Sequence, residues 1–230
     1  MAPQGFEVFV QRRAATMAFA ASMYAFPGGS VDDRDSAPVG WVGPTPAWWA
    51  IRFGLPETEA QAIVCAAVRE VFEECGVLLA GPDDATVVRD VSSDDWEQAR
   101  LALLAREVAL VDVLGTRGLR VRADLLAAWD RWLTPVFEPR RFDTFFFLAR
   151  LPDGQRTRDL GGESDHSAWL PPAEAAKLPM LPPTRYTLER LAQVGRIEDA
   201  VAMGARRDLT RPVLPRVATD TDGDWLVLDR

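Results

Sequence analysis

The sequence predicts an α+β domain, and three stretches carry that reading. Phe6-Glu7-Val8-Phe9-Val10-Gln11-Arg12 has strand character and partly alternates apolar with polar residues. Residues 57–75 place Val64, Val68, Val71 and Phe72 at i, i+4, i+7 and i+8, the apolar stripe of one helix. Phe142 to Arg150 is a strongly apolar strand, closed by a hairpin turn at Pro152-Asp153-Gly154. At 230 residues, 48% of them apolar, the chain suits one domain, or a domain with an insertion, around a full core.

The elements follow in order. Residues 14–29 have Phe19 and Tyr24 as apolar anchors and end in Phe26-Pro27-Gly28-Gly29, a turn that lets main chain approach an anion or metal closely. Residues 36–56 hold Pro38, Pro44, Pro46 and Pro56 with Trp41, Trp48 and Trp49, and read as a loop with one helical turn around Pro46–Phe53. Those tryptophans require burial, in a local mini-core, a dimer contact, or a wall for an acyl or adenine group. The helix over 57–75 stops at Gly76. Residues 94–111 read as a helix capped by Ser93 or Asp94 and carrying Trp96, Leu101, Leu104 and Val108. Residues 122–132 read as a second helix with Leu125, Leu126, Trp129 and Trp132. After the 142–150 strand, a strand near 155–160 returns and another runs near 163–170. Short helices start at Pro172 and at Pro183-Thr184, a further one covers 197–204, and Trp225 to Leu228 is a last strand behind a turn at Asp222-Gly223.

Chemistry concentrates in Arg69-Glu70-Val71-Phe72-Glu73-Glu74-Cys75-Gly76-Val77. Spacings of i, i+3 and i+4 put Glu70, Glu73 and Glu74 on neighbouring parts of one helix face. Like charges at i, i+4 cost a helix about 0.2–0.5 kcal/mol, and here they also crowd its negative end. A divalent cation relieves both penalties, and oxygen ligands without His or Cys partners suit Mg²⁺ or Mn²⁺. Taken alone, the same pattern also fits a solvated helix face with an Arg69–Glu73 pair.

Together with Phe26-Pro27-Gly28-Gly29, these residues resemble the Nudix hydrolases. That family's box reads G-x5-E-x7-R-E-apolar-x-E-E-x-G-apolar, and its second half is complete from Arg69 to Val77. Counting from Gly29, the first acid falls on Asp35 instead of Glu. Asp35 and Arg69 lie 34 positions apart where the family has eight, so 26 extra residues interrupt the box. An interrupted box, Arg141-Phe142-Asp143-Thr144 with Phe146-Phe147, Trp132-Leu133-Thr134-Pro135, and Glu163 ahead of Trp169-Leu170-Pro171 resemble the acyl-coenzyme A diphosphatase branch.

The resemblance implies a single α/β/α sandwich with a mixed sheet over 1–230, an insertion at 36–60 inside the box and inserted helices at 93–133. It implies Glu70, Glu73 and Glu74 as metal ligands and Glu70, Glu73 and Glu163 as catalytic acids, with Asp165 the rival of Glu163. Arg12, Arg13, Gly28, Gly29 and Arg141 become substrate contacts, with Asp143 an alternative partner for Arg141. Arg69, Asp35 and Gly76 hold the box together, and Asp32 is the other candidate partner of Arg69. The family also has a strand before the one at 6–12, and only Met1 to Gly5 precede it here. The start site is late, the chain is trimmed, or another segment fills that place in the sheet.

The function implied is metal-dependent cleavage of coenzyme A or acyl-coenzyme A to adenosine 3′,5′-bisphosphate and a phosphopantetheine. ADP-ribose or another nucleoside diphosphate is the alternative substrate, and a catalytically inactive binding module the alternative class. A net charge of −8 argues against nucleic-acid partners, and no apolar run is long enough for a membrane span. A homodimer remains compatible. Cys65 and Cys75, about 15 Å apart along one helix, cannot form a disulfide and suit a cytoplasmic protein. The ending Leu228-Asp229-Arg230 is not a peroxisomal tripeptide. His166, the only histidine, excludes a multi-His zinc site and reads as an exposed loop residue.

Overall fold

The computed structural model describes residues 5–162, 164–220 and 223–229. In chain order they form β1 (Val8–Arg13), β2 (Tyr24–Ala25), β3 (Trp41–Val42), α1 (Pro46–Phe53), α2 (Glu57–Cys75) and β4 (Ala80–Gly81). Then follow α3 (Asp94–Leu104), α4 (Leu110–Gly115), β5 (Arg120–Arg122), β6 (Leu126–Leu133), β7 (Asp143–Ala149) and β8 (Ser164–Leu170). The chain continues through α5 (Pro172–Ala175), α6 (Pro182–Leu191), α7 (Ile197–Gly204), β9 (Leu214–Asp220) and β10 (Gly223–Asp229). The fold is α+β with mixed pairing. Sheets run β2-β1-β8 and β3-β5-β4, and hairpins join β6 to β7 and β9 to β10. Only β3 and β5 pair in parallel among these ladders. Both edges of β1 are taken, by β2 and β8, so these strands fill the sheet positions beside it.

Helix α2 is the axis of the core. Ala60, Val64, Cys65, Val68, Phe72 and Cys75 are buried among residues of α1, α3, α4, β5 and the Val77–Ala80 stretch. Ala62, Ala66, Arg69 and Glu73 are buried too, so little of the second half of the helix meets water. Gly76 ends it in the left-handed conformation at φ 68°, where its N–H bonds to Phe72 O.

The insertion is a structured part of this core rather than a loop. Thr45 caps α1, Pro46 occupies its first turn, and Gly54 closes it after two turns instead of one. Trp49 is 1% exposed and packs with Phe53 and Phe147 in the main core. It therefore belongs neither to a local mini-core nor to a substrate wall. Trp48 stays on the surface under the Arg52 guanidinium.

Several expectations are corrected. Residues 126–133 are a strand, not a helix. All but the last of its residues are buried, so no alternation of polar and apolar residues marked the β period. The helix at 94–111 breaks at Leu104, where Arg106 turns to φ 59°. Its Leu101 and Leu104 point outward, while Leu103 and Arg100 are buried. No strand returns at 155–160. The buried Gln155 amide replaces a ladder there, accepting from Leu78 N and donating to Leu78 O and Val88 O at 2.6–2.8 Å. Phe19 is exposed rather than an anchor. His166 lies on β8, where its Nδ1 is 3.3 Å from Tyr24 Oη. The turn expected at Asp222 lies outside the described residues.

If the insertion is core, Trp49→Ala lowers unfolding free energy by about 3–5 kcal/mol, while Trp48→Ala changes it by less than about 1 kcal/mol. Denaturant melts of both variants check this. Equal small losses would show the insertion to be peripheral.

Candidate active site

The site is built on the last two turns of α2. The Arg69 guanidinium is its centre. Nε and Nη2 donate to the two oxygens of Asp35 at 3.0 and 2.9 Å, a fork that matches a carboxylate. Nη1 donates to Glu70 Oε1 at 2.7 Å and to Glu73 Oε2 at 3.3 Å. Nη2 also bonds Ser30 O at 2.9 Å. Asp35 is held ready by a short 3₁₀ helix, Asp33–Ser36, where it accepts the Asp32 N–H at 2.9 Å. Asp32 pairs with Arg34 instead of Arg69. Burial alone would lower the Arg69 pKa, but its bonds to Asp35 and the charge of Glu70 outweigh that and raise it.

The acids are not a solvated face. The Glu70 and Glu73 side chains are 12% and 8% exposed. Burial raises the Glu73 pKa, and Arg69 offsets this only in part. Glu73 Oε1 is buried with no hydrogen-bond partner. Glu74 Oε2 accepts from the backbone N–H of Gly28 at 3.0 Å and from the Gln11 side-chain amide. Gly29 runs directly over Glu70: a Cβ there would sit 2.5 Å from Glu70 Oε1. The glycine turn thus brings main chain onto two of the three acids, and a side chain at Gly29 would push the Glu70 carboxylate from its place.

A second set of bonds grips the end of α2. Arg100 Nη1 donates to Glu73 O at 2.8 Å, and its other nitrogens bond Glu97 at 2.6 and 3.0 Å. Arg158 Nη1 bonds Glu97 at 2.9 Å, while its backbone N–H bonds Cys75 O at 3.0 Å. The Arg158 guanidinium lies across Gly76, where a Cβ would fall 2.6 Å from Nε. Two arginines on one glutamate therefore face the negative end of an acid-rich helix. Bonds from Arg100 hold the Glu97 pKa down.

The structure brings together Asp35, Arg69, Glu70, Glu73, Glu74, Gly28, Gly29 and Gly76. Three arginines expected at phosphate each bond a protein oxygen through Nε. Arg12 pairs with Asp165 at 2.7 Å; its neighbour Gln11 faces Glu74, and alternation turns Arg12 the other way. Arg13 bonds Phe19 O at 3.1 Å. Arg141 bonds Thr134 O at 2.9 Å, and Asp143 pairs with Arg131 rather than with Arg141. Glu163 lies outside the described residues. Gln11 was missed; its one signal is an amide within the apolar run Val8-Phe9-Val10. Nothing in the sequence linked Glu97, Arg100 and Arg158 to the box. Cys65 and Cys75 are free and buried, and burial pushes both thiols up to about 12, so neither is a nucleophile at neutral pH.

As to metal, no group of three or more His, Cys, Asp or Glu side chains among the described residues is arranged to hold an ion. Mg²⁺ needs none, because it keeps waters and takes one or two carboxylates plus substrate phosphates. Glu70 and Glu74, one turn apart on α2, are two carboxylates of that kind.

A glycine turn set over a helix of paired acids, locked by a buried Arg–Asp fork, defines a Nudix domain. The chain belongs to that family: residues 50–191 match the NUDT19 Nudix domain. It is similar to the acyl-coenzyme A diphosphatase NUDT19 of Xenopus laevis, at 26% identity over 95% of this chain and 68% of that protein. The human protein of the same name is 28% identical over 96% of this chain and 70% of its own length. A nudix protein of Caenorhabditis elegans is 30% identical over 81% of this chain, which spans just 56% of that relative. The crystal structure of a NUDIX hydrolase from Alicyclobacillus acidocaldarius superposes with a TM-score of 0.71 at 30% identity, covering 88% of this chain and 90% of that one.

Two outcomes test the site's electrostatics. Arg69→Met leaves buried carboxylates without their cation and lowers stability by about 3–5 kcal/mol, read by chemical denaturation. Glu97 contributes stability that is full above its ordinary pKa of 4.5 and is lost as pH falls through its lowered folded value. Glu97→Gln is therefore less stable than wild type by about 1 kcal/mol at pH 7, and the gap closes in melts below about pH 4.5.

Proposed function

We propose that the protein is a divalent-metal-dependent diphosphate hydrolase acting on coenzyme A or acyl-coenzyme A. The observation that carries this reading is the position of the glycine turn: Gly28 bonds Glu74 while Gly29 lies against Glu70. A diphosphate entering there meets main chain on one side and clustered acids on the other. The coenzyme A assignment rests on similarity to relatives named acyl-coenzyme A diphosphatase.

Glu70 and Glu74, with Glu73, would hold Mg²⁺ or Mn²⁺. When bound, the ion neutralises phosphate charge and lowers the pKa of water. The chain's own residues orient and exchange protons. Arg69 and Gln11 fix where the acids point. Water attacks one phosphorus, the bridging P–O bond breaks, and the second phosphate leaves with the electron pair. A carboxylate takes the water's proton, a role the family resemblance gives to Glu163. Asp35 supplies the box's missing glutamate, since its shorter side chain still makes the full fork to Arg69. The products would be adenosine 3′,5′-bisphosphate and (acyl)phosphopantetheine. Among the described residues no helix is long and apolar enough to cross a membrane, and the free thiols suit the cytoplasm.

The test is turnover of coenzyme A, acyl-coenzyme A and ADP-ribose with Mg²⁺ or Mn²⁺. Glu70→Gln or Glu74→Gln is expected to lower kcat at least about 100-fold; Glu74→Gln keeps the melting temperature because like charges are relieved, while Glu70→Gln lowers it by weakening the ion pair with Arg69. Preference for ADP-ribose would reassign the substrate. Ligand binding with no turnover on any substrate would make the protein a binding module.

A further inference from the structure

The face of β1 that carries the site holds more than Gln11. Phe9 lies two residues earlier on the same face. On β8, Ser167 stands opposite Gln11 and Trp169 stands opposite Phe9. On β2, Ala25 is the other partner of Gln11, and the chain runs from it into the glycine turn, where Gly28 bonds Glu74. The Phe9 and Trp169 rings meet at 5.5 Å, tilted by 53°. Both therefore lie on the side from which Gln11 reaches Glu74. The opposite face of β1, with Val8 and Val10, packs against Ala175, Met180 and Leu188.

Trp169 is held so as to present its ring. It remains 37% exposed. Its one donor, the indole N–H, bonds Thr157 Oγ1 at 2.8 Å. Thr157 precedes Arg158, whose backbone N–H bonds Cys75 O at the end of α2. The indole is thus tied to the same segment that grips the acid-bearing helix. Phe9, itself packed on the main core, braces it from β1. With its donor used, what the indole offers a ligand is its π-surface.

Position along the strands says which part of a substrate would meet it. Two residues separate Phe9 and Trp169 from Gln11 and Ser167, about 7 Å. In coenzyme A, acyl-coenzyme A and ADP-ribose alike, a ribose and one phosphate separate adenine from the bridging oxygen, a comparable span. The thioester end of an extended pantetheine arm lies roughly 15 Å beyond the diphosphate, well past this ring. A fixed indole also suits a flat heteroaromatic ring, since every nucleobase has a π-face to stack. We propose that Trp169, braced by Phe9 and Thr157, is the stacking platform for the adenine ring of the substrate. This rests on the hydrolase reading and deepens it by naming a residue that selects the nucleotide half.

The test is binding of adenosine and of 4′-phosphopantetheine to wild type, Trp169→Leu and Trp169→Phe, followed by ligand-observed NMR. Adenosine carries no phosphate, so its binding reads the platform apart from the acids. Stacking of a base on one aromatic ring is worth at least about fivefold in affinity. Trp169→Leu should weaken adenosine by that factor, and Trp169→Phe should keep most of the affinity. Phosphopantetheine should bind all three proteins alike, with melting temperatures confirming that both variants fold. In turnover of coenzyme A, Trp169→Leu should raise KM with kcat little changed. Adenosine that does not bind wild type, or binds Trp169→Leu equally well, overturns the platform and leaves the hydrolase reading standing. Loss of phosphopantetheine instead of adenosine gives the ring to the other half of the substrate and overturns it too. Trp169-dependent adenosine binding with no turnover on any substrate keeps the platform and rejects the hydrolase.

Discussion

The site depends on one buried guanidinium. Arg69 meets Asp35 with a two-pronged fork, holds Glu70 and Glu73, and reaches the backbone at Ser30. A lysine has no such fork, so its single charge could not satisfy three carboxylates and a carbonyl at fixed angles. The cost of burying this much charge is high unless every partner is placed. That demand fixes the path of Gly28 to Asp35, and with it the glycine turn over Glu70 and Glu74. One positive charge among Asp35, Glu70 and Glu73 leaves the cluster short of cations, the imbalance that the proposed ion would relieve.

The clamp on the far end of α2 answers a different demand. Three glutamates in the last turns of a helix oppose its dipole. Arg100 and Arg158, joined by Glu97, face that end and bond Glu73 O and Cys75 O. They fix the backbone under the acids. Gly76 is needed twice, for its left-handed turn and for the room it leaves Arg158.

Much of this was legible in the residues. The stripe of Val64, Val68 and Phe72 located α2, and the spacing of Glu70, Glu73 and Glu74 located the acids. The interrupted box left Arg69 a choice between Asp35 and Asp32, which the fork to Asp35 decides. What stayed hidden has a common cause: it lies in contacts between distant elements. Gln11 became a site residue only when β1 packed on α2. Leu126 to Trp132 hid its strand because both faces are buried. Charge marked Arg12, Arg13 and Arg141 in the sequence, but their Nε bonds to a carboxylate or a carbonyl come from distant residues and do not show there.

The insertion between Asp35 and Arg69 bears on how such a domain diversifies. Stretching that closure from eight positions to 34 costs only about 1.3 kcal/mol of loop entropy. Burial of Trp49 and Phe53 against α2 more than offsets this. A lineage can therefore splice new sequence into the middle of its catalytic signature, provided the graft brings its own apolar anchor and returns the chain to the ion pair that spans it.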